Sequence, residues 1–215
     1  MRFACAVLMM LIPLSAQASP LRFCFEDTAQ VPWTMPDGSG LNFDLLKRVE
    51  ASTGEKFQFV PLPWKRCIAY VAAGEMDGVV GAIHSAEREQ FAVIPRDANG
   101  RERAGAGLYA DHFRVYVRSN SNIKWDGKSF SNLKGSVAAQ AGFVVVQQLR
   151  QLGATVDDSS KSTENGLRLL LLNGVDAAVL QGEQALLLQR NDKRFREKIR
   201  VLPIPFFSSA LHLMV

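Results

Sequence analysis

One pattern occurs twice in this chain and constrains its fold more than any other feature. Residues 73–80 read Ala-Gly-Glu-Met-Asp-Gly-Val-Val, and residues 172–179 read Leu-Asn-Gly-Val-Asp-Ala-Ala-Val. Each is a helix end, a glycine, an aspartate and a short apolar run suited to a buried strand. Ahead of the first copy, Leu21 to Phe25 alternates apolar and polar residues as a strand does. Leu41, Leu45, Leu46 and Val49 then recur at helical spacing before Gly54. Phe57 to Leu62 reads as a second strand, Trp64 to Ala73 as a helix after Pro63, and Val79-Val80 as a short third strand. Strand, helix, strand, helix, strand predicts a parallel sheet with right-handed crossovers.

The second copy ends an equivalent series. Ser136 to Ala139 reads as a strand, Phe143 to Leu152 as a helix and Thr155-Val156 as a strand. Glu164 to Leu172 reads as a helix opened by Ser162-Thr163, and Val175 to Leu180 as a strand. Two Rossmann-like α/β lobes are therefore expected, residues 19–111 and residues 112–207. Phe113 to Val117 and Leu211 to Val215 are extended stretches outside both series. The first would carry the chain out of lobe one, and the second, within residues 208–215, would return it. Two crossing strands would then form a hinge.

Charge and the first residues narrow the partners. The 215-residue chain carries a formal net charge of +4, with one cluster at Arg190 to Arg200 broken by Asp192 and Glu197. A nucleic-acid surface would be more densely basic. Arg2, an apolar run from Phe3 to Leu14, and Ala16-Gln17-Ala18 form the pattern that signal peptidase reads. Residues 1–18 are expected to be an export signal, since a membrane span needs roughly 20 apolar residues and this run is shorter. Cys5 would leave with it. Cys24 and Cys67 remain as an even pair in a compartment where disulfides persist. A bridge would join the first strand to the second helix. Two buried free thiols are the alternative, and sequence does not supply the Cα separation that decides between them.

In open α/β sheets, ligands bind beyond the carboxyl ends of the strands. Those ends carry Glu26-Asp27 with Trp33, then Trp64, then Gly81 through Arg88. In the second half they carry Gln140-Ala141-Gly142-Phe143 and Gln181-Gly182-Glu183. Two indoles, a guanidinium, a carboxylate and several amides suit a small polar solute, with apolar faces to stack on and fixed polar groups to orient it. Each has a plainer reading: Trp33 and Trp64 as core aromatics, Arg88 as a solvated helix charge, Asp27 as a turn cap. Asp77 and Asp176 are expected to do structural work at their turns. His84, His112 and His212 lack metal-ligand spacing, so no metal is expected. Gly105-Ala106-Gly107 is a lone GxG without the rest of a nucleotide fingerprint. No cofactor is expected.

A longer set of short motifs spans almost the whole chain beyond residue 18. Glu26-Asp27, Pro32-Trp33, Gly40-Leu41-Asn42-Phe43-Asp44 and Pro63-Trp64-Lys65-Arg66 come first. Gly74-Glu75-Met76-Asp77-Gly78 and Ser85-Ala86-Glu87-Arg88 follow, then Leu133-Lys134-Gly135, Ala141-Gly142 and Gly174-Val175-Asp176-Ala177. In this order they resemble the amino-acid-type family of periplasmic solute-binding proteins that serve ABC transporters, extracellular solute-binding family 3. The resemblance implies the type II periplasmic-binding fold, closure of two lobes on a solute, and monomeric delivery to an inner-membrane permease. It also implies a fold cut short at its C-terminus, because the family's chains add helices over lobe one. Arg88 falls where the family grips a ligand carboxylate, a task suited to its planar fork. Trp33 takes an aromatic position beside the ligand. Gln30 stands where an aromatic often stacks, Phe143 where a hydroxyl helps bind carboxylate, and Gln181 where an aspartate binds an α-ammonium group. A neutral amide balances a buried ammonium poorly. The implied site is Asp27, Trp33, Trp64, Arg88, Gly142, Phe143 and Gln181, with an organic acid or other polar anion favoured over an ordinary α-amino acid. Two alternatives accompany transport: a sensor or adaptor docking on a receptor, and a dehydratase of cyclohexadienyl acids such as prephenate. For the latter, Glu26, His84 or Glu183 is the candidate general acid.

Overall fold

The computed structural model describes residues 19–215; the expected export signal and Cys5 lie outside the described residues. In chain order the first half contains β1 (Leu21–Glu26), α1 (Leu41–Thr53), β2 (Phe57–Leu62), α2 (Trp64–Ala72) and β3 (Gly78–Ile83). A 3-10 turn at Arg88–Gln90 precedes the long strand β4 (Tyr109–Arg118) and a small hairpin, β5 (Lys124–Trp125) with β6 (Phe130–Ser131). Next come β7 (Val137–Gln140), α3 (Val144–Gln151), β8 (Val156–Ser160), α4 (Thr163–Leu171) and β9 (Ala177–Gln181). The chain closes with α5 (Gly182–Asn191), α6 (Lys193–Lys198), β10 (Ile199–Val201) and β11 (Phe207–Met214).

The strands form one sheet in the order β2-β1-β3-β11-β4-β9-β7-β8, with β10 on β4. Each flank is parallel: β1 with β2 and β3, and β7 with β8 and β9. The middle is antiparallel, because β4 and β11 are the two connections. Phe207 to Leu211 pairs with Phe113 to Tyr109. The chain then changes partner at Leu211 and runs along β3, from Leu211 opposite Ile83 to Met214 opposite Val79. The expected crossing strands are thus both present, and each is longer than its apolar core suggested.

Burial explains the local patterns. From Phe23 onward β1 is covered on both faces, as are all residues of β7 and β9, which parallel strands flanked by helices require. The alternation expected for Leu21 to Phe25 is therefore not seen in burial: Leu21 and Arg22 are both exposed and Phe23 to Glu26 are all buried. Helix α2 buries Trp64, Cys67 and Val71 on one stripe. Cys24 and Cys67 are bridged, with Cα atoms 5.6 Å apart, so the first strand and second helix are tied together.

The repeated aspartates do the same work in both halves. Asp77 Oδ2 accepts from the amide of Arg22 in β1 at 2.7 Å. Asp176 Oδ2 accepts from the amide of Gly135, just before β7, at 2.6 Å, and its Oδ1 accepts from Arg118 Nη2 at 3.2 Å. In each case the turn after a helix is tied to the entry of the half's first strand.

Candidate ligand-binding cleft

The strands of the two halves run in opposite directions through the antiparallel β11 and β4, so the carboxyl ends of β1 and β3, at Glu26 and Ile83, face those of β7 and β9, at Gln140 and Gln181. A cavity with about 430 Å³ of unfilled space, mouth included, lies there and is walled by residues of both halves. Its apolar walls include Val80, Ile83, Trp64, Phe113, Phe143 and Leu211. Its polar groups are Glu26, Gln30, Thr34, Arg88, Tyr109 and Gln181. Mostly apolar walls with a few fixed polar groups suit a small ligand.

Arg88 is placed by the 3-10 turn that follows β3 and is only 6% exposed. Its Nη1 donates to the Ile83 carbonyl at 2.7 Å and its Nη2 to the Gly142 carbonyl at 3.4 Å. Its guanidinium carbon lies 5.3 Å from the Trp64 ring centroid, a cation–π placement. Burial pulls its pKa down to about 10, which leaves it charged at neutral pH. Among the described residues, no carboxylate comes within 4.0 Å of it to form an ion pair. Carbonyl dipoles from both halves and an indole face support the cation, but nothing in the described protein neutralises it.

Glu26 is equally buried, at 6% exposure. Its Oε2 accepts from Gln140 Nε2 at 3.1 Å, a bond between residues 114 apart in sequence and on opposite halves. Burial, aided by the neighbouring Asp27, pushes its carboxyl up to about 8. Gln181 Nε2 donates to the Tyr109 hydroxyl at 3.2 Å. Asp111 is buried close by, accepts from the His112 amide at 2.6 Å, and is held above the usual carboxylate range by burial.

The residues singled out from sequence divide accordingly. Trp64, Arg88, Phe143 and Gln181 line the cavity. Phe143 packs edge-on against Trp64, with ring centroids 5.8 Å apart. Gly142 lines a shallow outer groove with Lys65, Ser85 and Arg88. It holds a φ of +77°, and a Cβ there would stand 2.9 Å from Lys65 Cγ and 3.2 Å from Trp64 Cδ1. Asp27 and Trp33 are not among the residues that wall the cavity: Asp27 faces solvent, and Trp33 stacks on Tyr109 at 4.1 Å behind it. Of the three candidate acids only Glu26 reaches the cavity; His84 pairs with the Glu89 carboxylate outside it, and Glu183 is exposed. Tyr109 and Thr34 were not anticipated, since nothing local marks a tyrosine at the start of a connecting strand as a wall of the cleft.

Two α/β halves, two antiparallel connecting strands and a cavity at the strand ends define the type II periplasmic-binding fold. Solved structures place the chain in the same class. The ligand-binding core of GluR0 from Nostoc punctiforme, in complex with L-glutamate, superposes with a TM-score of 0.73 at 17% identity, over 91% of this chain and 84% of that one. A histidine kinase sensor domain similar to periplasmic binding proteins gives 0.74 at 15% identity, over 91% and 82%. A putative ABC-transporter binding component from Wolinella succinogenes, complexed with lysine, gives 0.69 at 14% identity, over 91% and 82%. No family model matches the sequence, and no curated protein matches it. No helix among the described residues is long and apolar enough to cross a membrane.

Proposed function

We propose that this protein captures a small carboxylate-bearing solute, an amino acid or related organic acid, by closing two lobes on it, and releases it unchanged to an inner-membrane ABC permease. The lobes are residues 19–111 and 112–207, with 208–215 returning to the first. Residues 1–18 direct export, and the protein works as a monomer in the periplasm. One observation carries the reading: Arg88 is a buried guanidinium with no described carboxylate partner, at a cavity walled by both halves. A bidentate carboxylate is the group that satisfies such a fork. Structures of the same fold bound to glutamate and to lysine support the solute class. Trp64, Arg88, Phe143 and Gln181 form the binding walls. Gly142 lies at the groove outside Arg88, and Trp33 and Asp27 act from behind and beside the cavity.

A thermal-shift screen of amino acids, organic acids and polyamines tests this, because a ligand that binds the native state raises its melting temperature. Carboxylates are expected to stabilise the wild type, and Arg88→Lys, which keeps the charge but loses the fork, is expected to weaken them at least tenfold. A screen in which no carboxylate shifts the melt removes the reading.

Glu26 favours a second reading. A carboxyl that stays protonated at neutral pH inside a secluded cavity is in the form a general acid requires. On this reading Glu26 would protonate a leaving hydroxyl of a cyclohexadienyl acid such as prephenate. Capture without turnover predicts a flat absorbance trace when prephenate is added to purified protein, and its decay would establish the enzyme instead.

A further inference from the structure

We infer that the cleft selects monocarboxylates with an apolar body and rejects α-amino acids, and that Phe143 is the residue that sets this preference. This rests on the reading of Arg88 as the carboxylate grip and narrows the solute class to organic acids whose body is hydrocarbon.

The surroundings of the guanidinium are apolar. β3 brings Val80, Gly81 and Ile83 to the cavity, and none of them carries a polar side-chain atom. Phe143, from the other half, packs edge-on against Trp64 at 5.8 Å and against Phe113 at 6.2 Å between ring centroids. Phe113 in turn stacks on Phe207 at 4.6 Å, which backs the wall. Ile83, Phe113 and Leu211 belong to one buried apolar cluster on which Phe143 and Val144 pack, so the wall is continuous with the core beneath the connecting strands. An α-amino acid carries its ammonium on the carbon next to the carboxylate. A carboxylate held at Arg88 would therefore set that ammonium against this wall and close to a like charge, both unfavourable. A hydrocarbon body in the same place leaves water and gains packing. Phe143 is the aromatic that the second half adds to the wall, so it covers the body only when the lobes close.

The polar lining groups point the same way, because most of them already answer one another. Gln181 Nε2 donates to the Tyr109 hydroxyl, and Glu26 Oε2 accepts from Gln140 Nε2. Burial beside the Asp27 carboxylate keeps Glu26 protonated at neutral pH, so it offers a ligand no negative charge. Gln30 and Thr34 are neutral, and the buried Gln30 Oε1 is an acceptor with no donor among the described residues. A neutral carbonyl does not repay the desolvation of a buried ammonium. The donors are the ones left waiting: Arg88 has no carboxylate partner within 4.0 Å among the described residues, and the buried Trp64 Nε1 has no acceptor. Arg88 lies over the Trp64 ring, so one carboxylate reaches the neighbourhood of both. An anion on an apolar body meets these demands without bringing a second charge.

The test is isothermal titration at pH 7 with ligand pairs that differ only by the ammonium: 4-methylpentanoate against L-leucine, and 3-phenylpropanoate against L-phenylalanine. Acetate supplies the carboxylate without a body. Each acid is expected to bind at least about tenfold more tightly than its amino acid. Acetate is expected to bind about a hundredfold more weakly than 4-methylpentanoate, since each buried methylene contributes about fourfold. Phe143→Ala is expected to weaken both apolar acids about tenfold and to leave acetate unchanged, a split that a merely structural role would not produce. An amino acid that matches or exceeds its acid overturns the inference, as does acetate matching 4-methylpentanoate. Equal losses for acetate and the apolar acids in Phe143→Ala remove Phe143 as the determinant. Failure of both apolar acids to bind also overturns the inference. The Arg88 reading outlives that last result if another carboxylate stabilises the wild type but not Arg88→Lys, and falls with it if none does.

Discussion

Arg88 and Gly142 meet across the cleft: Nη2 of the first, anchored in one half, donates to the backbone carbonyl of the second, in the other half, at 3.4 Å. The bond requires the loop after β7 to come close over α2, and Gly142 permits this by its left-handed backbone and its missing side chain. Gly142→Ala would place a Cβ 2.9 Å from Lys65 Cγ and 3.2 Å from Trp64 Cδ1. The lysine stem can swing aside, but the packed indole resists. Left-handed strain of about 1–2 kcal/mol adds to that crowding. The variant is expected to lose at least about 1–2 kcal/mol in urea unfolding and to have a larger radius of gyration by small-angle scattering, because the halves no longer close fully. Unchanged scattering with unchanged stability would dissociate this contact from closure.

The Cys24–Cys67 bridge closes a loop with a sequence separation of 43 and sits in the core of the first half, where both sulfurs are buried. In the chain-entropy account a loop of this length stabilises the folded state by about 4 kcal/mol relative to the reduced chain. Both cysteines replaced by alanine should therefore give a protein whose urea midpoint falls well below that of the oxidised wild type. Mild reductant applied to the native protein should change little, because the bond is enclosed between β1 and α2.

Much of this architecture was legible in the sequence, for local reasons. Gly54 ends α1 in the left-handed conformation and Ser162 caps α4 by accepting from the Asn165 amide, so both boundaries were marked by residue type. The repeated apolar runs that form β3 and β9 announced buried parallel strands. What escaped notice lacked such punctuation. Helix α5 begins at Gly182 directly from the last residue of β9, with no loop to separate them. The β5–β6 hairpin carried a usable signal, Asp126-Gly127 between aromatic residues, but its strands are only two residues long. Within the cleft, Arg88 stood out as a cation just past a buried strand. Glu26 did not stand out as a buried group, because a carboxylate at a strand end is ordinarily solvated, and the residue that meets it, Gln140, belongs to the other half.

Glu26 should also shape the pH dependence of stability. Its carboxyl is raised from an ordinary 4.5 to about 8 in the folded state, so between these values the folded protein binds more protons than the unfolded chain. Stability from this group is therefore fully present below about pH 4.5 and is lost progressively as pH rises towards about 8. Glu26→Gln removes the group that titrates while keeping a hydrogen-bonding side chain. It should be more stable than the wild type at pH 9, with the advantage shrinking towards pH 5, when unfolding in urea is measured at each pH. A wild-type curve that matches the variant across this range would mean that the closed cleft does not hold the proton.

The two turn aspartates offer a test of whether the halves are energetically separate. Asp77 holds the entry of β1 through the Arg22 amide, while Asp176 holds the entry of β7 through the Gly135 amide and pairs with Arg118. The Gly135 amide, with Arg118 in support, lowers the Asp176 carboxyl below the usual range. That contribution is present above the ordinary carboxylate pKa and is lost as pH falls through the lowered one. Replacing either aspartate by alanine leaves strand-entry amides without their acceptor and should cost about 1.5–3 kcal/mol, the range for hydrogen bonds to a charged group. The sites lie in different halves and share no partner, so the double variant should lose the sum of the two within about 0.5 kcal/mol. A loss well short of the sum would mean that the first replacement already loosens both halves. The continuous sheet through β11 and β4 would then transmit the damage, and a hinge between independent lobes would be the wrong description.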